Sequence, residues 1–233
     1  MLGKLLLLSM FLFAGSGEKA VLLHTYTYDV TGDGIEETID LYGKPLKENK
    51  DFYKEVWAVI KGKQEQNVKF EGGFDPKLLF ADFTGDGIKE MMYESATGGS
   101  GGLHNYAIYS FADWKKAELP LPEENVTGHF IDDFQAVIHI PSLKEPIQVD
   151  LKDRKADYIR LGIYQENGQL NEPFELMIDP INLMEIVENG QANLQTYQQI
   201  SGAYHADGIG VVETIWTWKD NQWKAIQTDW NER

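Results

Sequence analysis

The sequence predicts a mainly β protein made of antiparallel hairpins, in a propeller-like or irregular arrangement of sheets. Short segments rich in aromatic and β-branched residues recur along the chain, and Gly, Asn and Asp separate them. Polar and apolar residues alternate in HTYTYDV and ETIWTW, which is the period of half-buried antiparallel strands. A strand–loop–strand pattern also recurs in three degenerate copies, and such repetition is typical of β-repeat proteins.

The segments with the composition of strands are residues 21–28, 52–61, 77–80, 103–111, 134–140, 159–164 and 211–218. The best candidate for a short helix is residues 180–188. No linker rich in Pro, Ser or charge divides the chain after the first 16 residues. Residues 17–233 are therefore expected to form a single β-rich domain.

The N-terminus has the pattern of a secretory signal peptide. Lys4 precedes the apolar run Leu5–Ala14, which is too short to span a bilayer, and Ala14 and Ser16 are small enough for a cleavage site. We therefore expect residues 1–16 to be removed and the mature protein to be secreted, either free or associated with the cell surface. No stable membrane insertion is expected after cleavage.

The composition excludes several classes of function. The chain of 233 residues has a formal net charge of −16, which repels nucleic acid, so no nucleic-acid partner is expected. It contains no cysteine, which excludes disulfides, thiolate zinc sites and cysteine nucleophiles. An excess of carboxylates suits hard cations, which prefer oxygen ligands.

The most informative feature is an acidic nine-residue segment that occurs twice. DVTGDGIEE at residues 29–37 recurs as DFTGDGIKE at residues 82–90, and a weaker copy, EIVENGQAN, occupies residues 185–193. The third copy keeps the glycine at position 6 but has lost most of the acids. We call the first two segments loop 1 (residues 29–37) and loop 2 (residues 82–90), and residues 185–193 the third copy.

Loops 1 and 2 have the chemistry of a calcium site. Side chains that carry oxygen stand at positions 1, 3, 5 and 9, and position 7 can offer its carbonyl, while the glycines allow the backbone to curl. Calcium accepts six to eight oxygens at irregular angles, so it suits such a loop better than magnesium or zinc. The predicted ligands are Asp29, Thr31, Asp33, Ile35 and Glu37 in loop 1, and Asp82, Thr84, Asp86, Ile88 and Glu90 in loop 2.

Two other kinds of loop share part of this pattern. A metal-free hairpin turn, in which each Asp caps its own backbone, explains Asp followed by Gly but not the recurrence of acids at positions 1 and 9. An EF-hand is excluded because loop 2 has Tyr93 where the twelfth-position acid belongs, and because both loops are flanked by strand-like sequence.

The two loops resemble the calcium-binding loops of FG-GAP and VCBS repeats, whose pattern is DxDxDGxxD between two strands. The resemblance implies that positions 1, 3, 5 and 9 and the carbonyl at position 7 hold calcium. This sequence departs from the family pattern at Thr31 and Thr84, where Asp or Asn is usual, and at Glu37 and Glu90, where Asp is usual. The domain is too short for a seven-bladed propeller, so propeller-like hairpins in an irregular arrangement are expected.

The leading functional hypothesis is a secreted, calcium-binding and non-enzymatic module that binds an extracellular protein or a glycan, for example in adhesion. The alternative is an extracellular hydrolase of polysaccharide or peptide with structural calcium, and a coat or matrix protein is a third class. No catalytic residue is predicted, because the GxSxG match at Ser100 is followed by strand-like rather than helical sequence. His104 and His205, which follow Gly-rich turns, either line a binding pocket or are ordinary turn residues.

Overall fold

The structure is a computed structural model that describes residues 19–99, 101–189 and 191–233. Its strands form three sheets, and every strand pair within them is antiparallel. The predicted class, mainly β with antiparallel hairpins in an irregular arrangement, is therefore confirmed. The predicted signal peptide, residues 1–16, lies outside the described residues, as does Ser100.

Sheet 1 contains the first half of the described chain and both acidic loops. Its order is β1-β2-β3-β5-β6-β7-β8, and β4 pairs with β3 at the side of this path. The strands are β1 (Val21–Tyr28), β2 (Glu37–Pro45), β3 (Phe52–Lys61), β4 (Glu65–Phe70), β5 (Gly73–Ala81), β6 (Glu90–Ala96), β7 (His104–Ser110) and β8 (Ala117–Leu119).

Sheets 2 and 3 contain the second half. Sheet 2 has the order β11-β10-β9, with β9 (Thr127–Ile131), β10 (Gln135–His139) and β11 (Ile147–Asp150). The short helix α1 (Lys155–Arg160) follows. Sheet 3 has the order β12-β14-β15-β16, with β13 paired to β14, and its strands are β12 (Met177–Ile178), β13 (Leu183–Asn189), β14 (Gln191–Ser201), β15 (Gly208–Lys219) and β16 (Gln222–Glu232).

Three clusters of buried apolar side chains hold the sheets together. One lies within sheet 1, and a second joins sheet 2, α1 and part of sheet 3. The third joins sheets 1 and 3, because Phe83, Met92 and Ile108 of the first half pack in it with Leu194 and Trp216. Burial of large apolar side chains is the main stabilising term in folding, so this third cluster fixes sheet 3 beside loop 2.

Most predicted strands are confirmed, but two segment predictions are wrong. Residues 159–164 were predicted as a strand, whereas α1 ends at Arg160 and a turn follows. Residues 180–188 were predicted as a helix, whereas most of this segment is β13, paired with β14 along its whole length. Pairing with a neighbouring strand overrides local propensity here. No helix of the described residues is long and apolar enough to cross a membrane.

Candidate metal centre

Loops 1 and 2 occupy equivalent places in sheet 1. Loop 1 connects β1 to β2, and loop 2 connects β5 to β6, so each is the connection of an antiparallel hairpin. In each loop the position-9 glutamate is the first residue of the second strand. The predicted strand–loop–strand units are therefore present at both sites.

The first aspartate of each loop organises the backbone. In loop 1, Oδ1 of Asp29 accepts hydrogen bonds from the backbone N–H groups of Gly32 (2.7 Å) and Thr31 (3.3 Å), and Oδ2 accepts one from Gly34 (2.8 Å). Both glycines have positive φ, which lets the chain curl around the carboxylate. A carboxylate oxygen can accept a second interaction beside one hydrogen bond, so Asp29 keeps capacity for a cation.

Loop 2 repeats this arrangement. Oδ1 of Asp82 accepts hydrogen bonds from the N–H groups of Gly85 (2.7 Å) and Asp86 (3.2 Å), and Oδ2 accepts one from Gly87 (2.9 Å). The position-5 aspartates also correspond, because Asp33 accepts from the N–H of Ile35 at 3.0 Å and Asp86 from that of Ile88 at 2.8 Å.

The position-9 glutamates are buried at the base of each loop. Glu37 is 1% exposed and Glu90 is 0% exposed. Glu37 accepts hydrogen bonds from the N–H of Val30 (3.1 Å) and the hydroxyl of Thr31 (3.4 Å). Glu90 accepts from the N–H groups of Phe83 (2.8 Å) and Thr84 (3.2 Å) and from the hydroxyl of Thr84 (3.2 Å).

Burial raises the pKa of both glutamates above the usual value, and this desolvation outweighs their hydrogen bonds. The nearby carboxylates act in the same direction, Asp33 and Asp29 on Glu37 and Asp86 on Glu90. A bound cation would offset this unfavourable charge burial, since opposite charge favours the ionised form of a carboxyl.

Loop 1 brings three carboxylates together. One ligand atom from each of Asp29, Asp33 and Glu37 lies within 4.8 Å of the other two, and among the described residues this is the group of three acids that meets that spacing. Asp33 is also 3.0 Å from Nζ of Lys63. This hydrogen bond with Lys63 lowers the pKa of Asp33, and the indole N–H of Trp114, at 3.5 Å, acts in the same direction.

The loops also touch one another and sheet 3. A Cβ atom at Gly32 would lie 2.8 Å from Cγ1 of Ile88 and closer still to its Cδ1, so the Ile88 side chain covers the position-4 glycine of loop 1. The corresponding Gly85 of loop 2 lies beside the Gln191 amide, which donates to the carbonyl of Phe83 at 2.9 Å. Both covering residues, Ile88 and Gln191, stand at position 7 of their own copies.

The third copy does not form a loop like the other two. Residues 185–189 belong to β13 and residues 191–193 to β14, with Asn189 in register with Gln191. The degenerate third copy therefore lies within a pair of antiparallel strands and has no open acidic loop like loops 1 and 2. Position 9 is nevertheless buried as in loops 1 and 2, since Asn193 is 4% exposed and its Nδ2 donates to the carbonyl of Gln191 at 3.0 Å.

The sequence predicts ten of the eighteen residues in the two loops as ligands, but it does not reveal which distant residues lie beside them. Lys63, Trp114 and Gln191 come close to the loops only through the fold, and nothing in the local sequence marks them. Trp114 lies in a short 3₁₀ turn between β7 and β8, while the N–H of Asp113 in the same turn donates to the carbonyl of Thr31 at 2.9 Å. Ile35 is exposed, whereas Ile88 is partly covered.

A cleft of about 390 Å³ lies where the histidine pocket was predicted, and His104 lines it with Tyr197, Glu213 and Arg233. Nδ1 of His104 is 2.9 Å from Oε1 of Glu94. His205 does not line this cleft; its Nδ1 is 3.2 Å from Oδ1 of Asp179. The structure therefore brings one of the two predicted histidines into a cleft.

These features define a mainly β protein whose hairpin loops have the donor set of a hard-cation centre. A family model described as the YybI C-terminal domain matches residues 124–231, which contain sheets 2 and 3 and neither acidic loop. The chain is also similar to a protein of Bacillus subtilis (strain 168) described as uncharacterized protein YybI, with 27% identity over 203 residues, 82% of this chain and 77% of the relative. No solved structure matches the chain.

Proposed function

We propose that the protein binds calcium at loops 1 and 2, and that the bound ions stabilise sheet 1. The observation that carries this proposal is the carboxylate group of loop 1, whose three acids come within 4.8 Å of one another. Three carboxylates at this distance repel each other, and a divalent cation with oxygen ligands relieves that repulsion. The three acids of loop 2 do not meet this spacing, but its aspartates accept the equivalent hydrogen bonds from the N–H groups of positions 4, 6 and 7, and loop 2 is proposed as the second site.

The ligand set of loop 1 comes from positions 1, 3, 5, 7 and 9. Asp29, Asp33 and Glu37 would supply carboxylate oxygens, Thr31 its hydroxyl and Ile35 its carbonyl, with water completing the shell. The equivalent set in loop 2 is Asp82, Thr84, Asp86, Ile88 and Glu90. Because the glycines and the first aspartate already fix the loop backbone, little chain ordering would accompany binding.

At the level of the whole protein, we propose a secreted calcium-binding module without enzymatic activity, which binds an extracellular protein or a glycan at or near the cell surface. The N-terminal signal pattern supports secretion. Extracellular calcium modules have dissociation constants of about 10⁻⁴ to 10⁻³ M, which suit the calcium concentrations outside cells. Calcium binding and the binding of an extracellular partner can be tested separately, because a calcium-stabilised fold is compatible with any partner.

Thermal unfolding with and without calcium tests the metal proposal. At a free calcium concentration of about one hundred times the dissociation constant, each independent site adds roughly 2.7 kcal/mol to the free energy of unfolding. Addition of a chelator should therefore lower the melting temperature of the wild type, and magnesium at the same concentration should restore less of it than calcium.

Matched variants distinguish binding from a general effect of charge. Asp29→Asn removes a carboxylate from position 1 of loop 1, and Glu185→Gln removes one from position 1 of the third copy. We expect Asp29→Asn to lose about half of the calcium-dependent stabilisation, while Glu185→Gln keeps all of it. Equal losses in both variants, or no calcium dependence in the wild type, would contradict the proposal.

A hydrolase with structural calcium is the second candidate, and the pair His104–Glu94 favours it. The imidazole of His104 lines a cleft and its Nδ1 lies 2.9 Å from a carboxylate oxygen of Glu94, although that nitrogen makes no hydrogen bond to the described residues. An imidazole in a cleft can act as a general base. Activity against a panel of polysaccharides and peptides that disappears in His104→Ala, while calcium binding persists, would establish this candidate in place of the non-enzymatic module.

A further inference from the structure

A second candidate binding site lies in sheet 1, and it contains neither the residues of the acidic loops nor His104. β3 pairs with two strands on the same side. Its residues Val56–Lys61 pair with β4, and its first two residues, Phe52 and Tyr53, pair with β5. A trough of about 280 Å³ lies between the end of β4 and strands β6, β7 and β8. This volume is just below the roughly 300–1,000 Å³ that is typical of ligand sites, so only a small ligand group would fit.

Aromatic rings form the walls of this trough. Phe70 stacks on Tyr93, with ring centroids 4.1 Å apart and an angle of 4° between the planes, and Tyr93 is only 1% exposed, so Phe70 covers it and the free face of Phe70 is one wall. The ring of Tyr109 is 6.1 Å from that of Phe70 and stands at 62° to it, so the rings form two sides of a corner. Ala107 lies between Asn105 and Tyr109 on one face of β7, and its small side chain leaves the floor of the corner open.

Hydrogen bonds hold the rim of the trough in place. The hydroxyl of Tyr93 donates to the carbonyl of Glu71 at 2.6 Å. Nδ2 of Asn105 donates to the carbonyl of Gly72 at 3.0 Å and to the hydroxyl of Ser95 at 3.2 Å. These bonds tie the connection between β4 and β5 to the sheet, so the trough is formed before any ligand enters, which lowers the entropic cost of binding.

The polar groups around the trough mainly accept hydrogen bonds and carry negative charge. The carboxylates of Glu71 and Glu118 line it, and Glu118 is in register with Tyr109. Because Nδ2 of Asn105 is already engaged, its Oδ1 is the atom available to a ligand. Lys69 is the cationic residue of the lining, and it is exposed on β4.

We propose that this trough binds the ammonium group of an organic cation, held by the rings of Phe70 and Tyr109 and by the carboxylates of Glu71 and Glu118. Ring faces attract cations, and quaternary ammonium ions are recognised in this way by aromatic cages. The net charge of −16 concentrates cations near the surface and acts in the same direction. Lys69 competes for the same groups, so its removal should tighten binding.

An NMR titration with choline chloride at constant ionic strength tests the proposal, with the backbone amides of Ala107 and Tyr109 as local probes. The control ligand is 3,3-dimethyl-1-butanol, the neutral isostere of choline. We expect saturable shifts at these amides with choline, and binding at least about tenfold weaker for the neutral isostere. Equal affinity for both ligands would overturn the assignment to cations.

Three variants locate the site. Ala107→Leu fills the floor and should abolish the shifts, while Ala107→Ser keeps the volume and should retain them. Glu118→Gln should weaken binding about two- to fivefold, whereas Glu232→Gln, which removes an exposed carboxylate from β16, should leave it unchanged. If Ala107→Leu fails to fold, Tyr109→Leu replaces it. No saturable shift at Ala107 and Tyr109 in the wild type, or unchanged binding in a folded Ala107→Leu or Tyr109→Leu, would contradict the proposal.

Discussion

Loops 1 and 2 share seven of their nine residues, and in both the first Asp accepts hydrogen bonds from the N–H groups of positions 4 and 6 while the last Glu accepts one from position 2, yet their surroundings differ. Loop 1 has a lysine ion pair to Asp33, an indole N–H and the Ile88 side chain above Gly32. Loop 2 has the Gln191 amide beside Gly85, and no ion pair to Asp82 or Asp86 is found among the described residues. The local sequence therefore determines the backbone shape of each loop, while residues distant in sequence determine which charged groups lie beside the carboxylates and which side chains cover the loop.

The largest expected effect comes from alanine at the position-4 glycine of loop 1. Gly32 has a φ of +76°, and an added Cβ would overlap the side chain of Ile88. Gly34 has a φ of +81° with no atom within 4 Å of the added Cβ. Gly34→Ala should therefore cost about 1–2 kcal/mol of strain, and Gly32→Ala about 1–3 kcal/mol more, measured by urea unfolding.

Removal of the Ile88 side chain separates the two contributions. In the background of Ile88→Ala, the extra cost of Gly32→Ala over Gly34→Ala should disappear, because only the backbone strain remains. If Gly32→Ala and Gly34→Ala each lower the free energy of unfolding by the same amount with and without Ile88→Ala, the Ile88 side chain does not contribute to the cost at Gly32. Gly85→Ala, whose nearest neighbour is the Gln191 amide at 3.6 Å, is expected to behave like Gly34→Ala.

The next effect concerns pH in the absence of metal. Burial raises the folded-state pKa of Glu90 above its ordinary value of 4.5, so folding favours the protonated form. The resulting stabilisation is fully present below 4.5 and is lost as the pH rises through the raised pKa. In a chelator, the melting temperature of wild type relative to Glu90→Gln should therefore fall as the pH is raised from 4 to 8.

Calcium should reverse this trend, because the bound ion favours the ionised carboxylate. Glu37→Gln should give the same pattern for loop 1, where burial likewise raises the glutamate pKa. If the melting temperature of wild type relative to Glu90→Gln instead rises with pH in the chelator, ionisation of Glu90 does not destabilise the folded state. The other acidic residues titrate in both proteins, so their effects on the melting temperature cancel when wild type is compared with Glu90→Gln.

The smallest effect is expected from Lys63→Ala. The ion pair with Lys63 lowers the pKa of Asp33, and the lysine occupies an oxygen that calcium would use. Its removal should raise the calcium affinity of loop 1 about two- to threefold and leave that of loop 2 unchanged, since exposed ion pairs are weak. Weaker calcium binding in Lys63→Ala would show that Lys63 helps to form the site.

The sequence allowed the loops and the strands with strong alternation to be predicted, and the reasons are local. β1 and β15 alternate aromatic and polar residues, and the Asp-Gly pattern marks both loop turns. The strand β13 was missed because MEIVE has helix-like composition, and only its pairing with β14 makes it a strand. Lys63, Trp114 and the corner formed by Phe70, Tyr93 and Tyr109 were not foreseeable, because their neighbours are distant in sequence.

Calorimetric titration with calcium tests the central claim most directly, because it counts the sites. The account predicts about two ions for the wild type, and one each for Asp33→Ala and Asp86→Ala, with unchanged affinity at the remaining loop. Glu185→Gln, in the third copy, should still bind two. A wild-type stoichiometry near zero, or the same stoichiometry in Asp33→Ala and Asp86→Ala as in the wild type, would contradict it.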